Sequence, residues 1–120
     1  FTMTKADVKA IVEALAAAHP TYDGLRKIAK EWLAAFDGSN LHDLTAKLIA
    51  GAEECIMPID DLIAFTASEA GVKLFGAELA KQIHDHGVDI KAKGAKYCDC
   101  PACQECLKLI DNKAAILALF

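Results

Sequence analysis

The stretch YDGLRKIAKEWLAAFDG, Tyr22 to Gly38, decides what kind of chain this is. Tyr22, Leu25, Ile28, Ala29, Trp32, Leu33 and Phe36 return at intervals of three or four residues, the period of one helical face. Lysines, Arg26 and Glu31 fill the intervals, and Asp37-Gly38 reads as the stop. A face that carries tryptophan and phenylalanine must be buried, so the flanking segments have to supply helices that cover it.

Upstream, Thr4 reads as an N-cap with Asp7 in the first turn, followed by Val8, Ile11, Val12 and Leu15 at helical spacing and a stop at His19-Pro20. Downstream, Ser39-Asn40 caps a helix with the stripe Leu41, Leu44, Leu48, Ala52 and Cys55, ended by Met57-Pro58. A fourth apolar segment runs from Ile59 through Leu62, Ile63 and Phe65 towards Gly71. A fifth runs from Val72 through Phe75, Leu79 and Ile83 to a stop at Gly87, and Gly71 either breaks or bends this pair. Val88 to Tyr97, punctuated by Gly94 and rich in lysine, reads as a connection. Pro101 then suits the first position of a last helix whose stripe is Cys103, Cys106, Leu107, Ile110, Ala114 and Leu117.

Composition agrees with this reading. The 120 residues include 23 alanines, four valines and three prolines, and alanine enters a helix without losing side-chain entropy. The expected fold is all-α, a single-domain antiparallel bundle of five or six short helices over residues 1–120. Phe1 and Thr2 precede Met3, which reads as the natural start, with the first two residues an addition of no functional weight.

The net charge is −4 and lysines alternate with acids, so the cationic stripe that a phosphate backbone requires is missing and nucleic acid is not an expected partner. No apolar run approaches the roughly 20 residues that cross a bilayer, so a cytoplasmic protein without membrane attachment is expected. The glycine-rich phosphate loops and the serine nucleophile elbow are absent, which removes nucleotide binding and serine-hydrolase chemistry.

Four of the five cysteines fall within YCDCPACQEC, Tyr97 to Cys106, too close together to staple distant parts of a fold. With Pro101 at N1, Cys100 becomes the N-cap and Cys103 the N3 residue, facing the open N–H groups of the first turn. Cys106 lies one turn further along, and Cys98 can curl back from the preceding loop. Cys98, Cys100, Cys103 and Cys106 are therefore candidate metal ligands, with zinc the first choice because it takes four thiolates at about 2.3 Å. His86, one turn past Ile83, or Cys55 could complete the set instead, and an iron-sulfur cluster or Cu(I) also suits thiolates.

Two other readings use the same residues. Cys100-Pro101-Ala102-Cys103 at a helix N-terminus is similar to the motif of thioredoxins and glutaredoxins, which implies Cys100 as attacking and Cys103 as resolving thiol of an oxidoreductase. Those families set the motif after a strand in a βαβ unit, for which this sequence has no pattern. Alternatively Cys55, Cys103 and Cys106 are small apolar residues on core stripes, which leaves Cys98 and Cys100 unexplained.

The remaining polar candidates have plainer readings. Glu53, Glu54, Asp60 and Asp61 flank Pro58 as solvated helix ends, and His42 sits on the surface. If neither histidine is a ligand, His84 faces solvent and His86 caps a helix C-terminus. Leu117, Leu119 and Phe120 leave the last helix apolar to its end, so a homodimer is expected, and a helical assembly or interaction module with no metal is a further alternative function.

Taken together, ECIMPIDDLIAF (54–65), SEAGVKLFG (68–76) and GAKYCDCPAC (94–103) resemble segments of a group of short, uncharacterised proteins of anaerobic bacteria that commonly carry a heat-shock chaperone label. The resemblance implies a small cytoplasmic protein of anaerobes, where thiolate metal sites persist in reduced form. It implies no activity and no site residues.

Overall fold

The computed structural model describes residues 3–18, 23–38 and 41–120. Among them the chain forms eight α-helices and no strand, so the all-α expectation holds, with more and shorter helices than the five or six anticipated. The His19-Pro20 stop, Tyr22 and the Ser39-Asn40 cap lie outside the described residues, as do Phe1 and Thr2. The chain packs as two compact units. One comprises Phe1–Ile56 and Asp99–Phe120, the other Met57–Cys98, and nothing in the composition marks the boundary.

The first unit contains α1 (Lys5–Ala17), α2 (Asp23–Ala34), α3 (Leu41–Cys55), α7 (Pro101–Asp111) and α8 (Lys113–Leu119). Thr4 closes a capping box on α1: its Oγ1 accepts from the Asp7 N–H at 3.1 Å, while its own N–H donates to Asp7 Oδ2 at 2.9 Å. The four apolar residues read from the sequence, Val8, Ile11, Val12 and Leu15, are all buried. Leu25, Ala29 and Trp32 come in from α2, and Leu41, Leu48, Ile49 and Ala52 from α3. Trp32 is fully buried, so its indole N–H needs a partner, and it donates to Thr45 Oγ1 at 2.8 Å. Thr45 passes its own hydroxyl proton to the Leu41 carbonyl at 2.6 Å, which completes the chain of donors.

The last helix of the sequence reading is two helices. Asn112, at φ −112° and ψ 19°, ends α7 and starts α8, and its side-chain amide donates to the Lys108 carbonyl at 2.8 Å. Leu117, Leu119 and Phe120, the apolar end of the last helix, are partly buried and pack against the core of this unit. Phe120 meets Trp32 edge-on at 5.5 Å, with Phe36 on the same indole at 5.3 Å.

The second unit contains α4 (Ile59–Thr66), α5 (Glu69–Phe75) and α6 (Ala77–Ala92). The break between α4 and α5 falls at Ala67-Ser68, where Ser68 Oγ accepts from the Gly71 N–H at 3.2 Å. Gly71 lies inside α5 and neither breaks nor bends it. It is buried against the end of α4, so closely that a Cβ there would stand 2.1 Å from the Phe65 carbonyl oxygen. Gly76, at φ +84°, makes the turn into α6.

Gly87 does not stop α6, and the supposed connection from Val88 is helical as far as Ala92. The residue is buried where α6 crosses α4; a Cβ would come within 3.2 Å of Ile63 Cγ1. The stop comes at Gly94, at φ +99°, where the Ala95 N–H reaches the Ile90 carbonyl at 3.0 Å and the Gly94 N–H reaches Lys91 at 3.0 Å. That pair of bonds is a Schellman closure, which satisfies the last free carbonyls of α6. No helix among the described residues is long and apolar enough to cross a membrane.

Candidate metal centre

Beyond Gly94 the backbone is pinned on one side before it reaches the cysteines. The Ile59 N–H donates to the Lys96 carbonyl and the Cys98 N–H to the Met57 carbonyl, both at 2.9 Å, with Pro58 and Tyr97 facing each other as an isolated antiparallel bridge. Cys98 is thereby buried at the end of an extended segment. Two residues later α7 begins as the sequence predicts, with Cys100 as N-cap in extended backbone and Pro101 at the first helical position. The Cys103 N–H donates to Cys100 Sγ at 3.4 Å, so a sulfur does here what a serine or aspartate oxygen does at most helix starts.

The sulfurs of Cys98, Cys100 and Cys103 all lie within 4.8 Å of one another. They come from one continuous run of chain, so their convergence follows from the local backbone of an extended residue, a cap and a first turn. Tetrahedral zinc sets its sulfurs about 3.8 Å apart, so closing on an ion takes at most about 1 Å of adjustment between any two of them. The helix N-terminus favours negative charge on Cys100, the half-buried member of the three.

The structure does not bring Cys106 into this group. It faces the core of the first unit at 2% exposure, and burial pushes its thiol up to about 12, with the charges of Cys55, Cys100 and Glu105 adding to the effect. Cys55 packs half-buried against the same core, its thiol raised first by burial and then by Glu54. In the sequence Cys106 satisfies two patterns at once, ligand spacing and core stripe, and in the structure it lies in the core cluster, outside the group of three sulfurs.

The histidines also differ from expectation, and neither joins the sulfur group. His86 is exposed in mid-helix and not at a helix C-terminus, because α6 runs past it to Ala92. His84 is half-buried and turned towards α4, its Nδ1 at 3.0 Å from the Ile63 carbonyl, which requires the proton on that nitrogen. Glu53 and Asp60 form exposed ion pairs with Lys113 and Lys91, as solvated helix ends do. One feature had no signal in the sequence. Glu105 pairs with Lys108 through Oε1 at 3.0 Å, while its Oε2 is buried with no hydrogen-bond partner among the described residues.

No protein-family model, no curated protein and no solved structure matches this chain.

Proposed function

We propose that this helical protein binds a thiophilic metal ion through Cys98, Cys100 and Cys103, with zinc the first choice. The observation that carries the reading is the mutual approach of three sulfurs within 4.8 Å at a helix start. Cysteines that merely fill a core would be apportioned among apolar side chains, as Cys106 is; three sulfurs turned on one another suit a shared cation. Thiolates of this kind persist in a reducing compartment, consistent with a cytoplasmic protein. Iron-sulfur and Cu(I) chemistry draw on the same donors.

Elemental analysis of protein purified without oxygen tests the reading. Close to one ion per chain is expected, reduced severalfold in Cys100→Ala, and less than about 0.2 ion per chain defeats it.

A second reading, dithiol exchange, is favoured by the Cys103 N–H bond to Cys100 Sγ. Cys100 would attack a substrate disulfide, releasing one thiol, and Cys103 would displace the other, leaving Cys100 and Cys103 oxidised to a disulfide. This reading predicts a metal-free protein in which Cys100 alkylates faster than Cys55, and equal slow reaction excludes it. It lacks the strand that precedes such motifs in the families they resemble, since no strand occurs among the described residues.

A further inference from the structure

Sulfurs close enough to share an ion are also placed to react with one another. Cys100 is the N-cap of α7 and Cys103 lies in its first turn, where the Cys103 N–H donates to Cys100 Sγ at 3.4 Å. The two sulfurs lie within 4.8 Å, whereas a disulfide sets them about 2.05 Å apart, so joining them takes at most about 2.8 Å of approach. Cys100 is half-buried while Cys98 and Cys103 are buried, which makes its sulfur the one that a small solute meets first. A sulfur in a disulfide is no longer a thiolate, so a single bond between Cys100 and Cys103 withdraws two ligands from an ion at once. That loss is the same whichever other groups reach the ion.

We infer that the centre is gated by oxidation: a hydroperoxide joins Cys100 to Cys103 as a disulfide and frees the ion, and reduction by a dithiol restores the site. The inference rests on the metal-binding reading above and gives that site its regulation. The Cys100 thiolate attacks one peroxide oxygen and the O–O bond breaks, leaving a sulfenic acid on Cys100 and an alkoxide or hydroxide that takes a proton from solvent. The Cys103 thiolate then attacks the Cys100 sulfur and expels hydroxide, which is protonated to water. Two electrons pass from the two sulfurs to the peroxide, and zinc leaves as Zn²⁺ with its oxidation state unchanged. The return step is thiol–disulfide exchange, in which the dithiol ends as its own disulfide.

Zinc release tests the inference. The whole chain is purified without oxygen, loaded with one equivalent of zinc and freed of reductant. Hydrogen peroxide is then added beside a chromogenic chelator too weak to strip the untreated protein. Chelated zinc is expected to rise from below about 0.1 to about one ion per chain as about one equivalent of peroxide is consumed. Peptide mapping should find Cys100 joined to Cys103, and zinc should rebind after treatment with dithiothreitol and its removal. Cys55, the other half-buried thiol, lies outside the sulfur group, so Cys55→Ser should release its ion alike. Zinc retained after several equivalents of peroxide overturns the inference while the metal site stands. Release with a disulfide to Cys98, or with sulfinic acid that dithiothreitol does not reverse, overturns it as well. A chain that takes up no zinc removes both readings. Release and mapping on the unaltered chain decide the matter even if Cys55→Ser does not fold.

Discussion

The two compact units are built on different physical terms. The first buries large side chains, with Trp32, Leu15, Leu48, Ile49, Leu109 and Ile116 fully enclosed. The second buries few: Ile59 and Leu62 are its only large enclosed hydrophobics, and Val72, Leu74, Leu79 and Val88 stand exposed, Leu74 at 67%. Its helices hold together by close approach through glycine, Gly71 against the end of α4 and Gly87 against Ile63. Apolar area removed from water is the main source of folding free energy, at roughly 25 cal/mol per Å². The second unit therefore has less to resist local opening, and its amides should exchange with solvent at lower free energy than those of α1, α3 and α7.

Substitutions can break this contrast or sharpen it. The largest effect is expected from Trp32→Ala, which empties the middle of the first unit and strands the Thr45 hydroxyl. A loss of about 3–5 kcal/mol, read from denaturant unfolding by circular dichroism, is expected, and a loss below about 1 kcal/mol would show that this core is not what holds the unit.

Alkali should also act on the first unit. The Cys106 thiol is raised from 9.0 to about 12 in the folded state, so unfolded chains ionise first. The stability it contributes is fully present below about pH 9 and is lost as the pH rises towards about 12. Trp32, the only tryptophan, reports the unit by its fluorescence, and its denaturation midpoint should fall across that window, less steeply in Cys106→Ala.

In the second unit, Gly71→Ala forces a Cβ onto a backbone carbonyl that cannot rotate away. The cost should be about 1–3 kcal/mol, seen as faster amide exchange in α4 and α5 with little change at Trp32. Thr4→Ala removes the capping box of α1 and should cost about 1 kcal/mol by the tryptophan signal. The smallest shift is expected at Gly87→Ala. There the helix gains roughly 1 kcal/mol from alanine, while Ile63 must yield by a few tenths of an ångström. A net change within about 1 kcal/mol is expected in α6 exchange, whereas a loss as large as that at Gly71 would mean the crossing is rigid.

Local signals in the sequence translated well. Thr4 with Asp7, the stripe Val8-Ile11-Val12-Leu15, and Cys100 capping a helix that opens on Pro101 all appear as read, because each depends on residues within one or two turns. Glycines were harder. Gly87 and Gly94 both sit where an apolar period falters, but one is a crossing point and the other a terminus. A missing side chain serves close packing and positive φ equally, and only the neighbour across the gap distinguishes them. The break at Asn112 left no mark, since it needs neither proline nor glycine, and the boundary between units coincides with the Met57-Pro58 stop without any change in composition to say that a unit begins there.

What the sequence by itself determined is the helical class, the α1 cap and the gathering of sulfur at the start of α7, because hydrogen bonds and side-chain spacing within a turn enforce them. Tertiary structure alone decided that Cys106 belongs to the core, that His84 turns to the Ile63 carbonyl and that Gly87 lies beneath α4. Those outcomes depend on distances between segments far apart in the chain, and no local period carries that information.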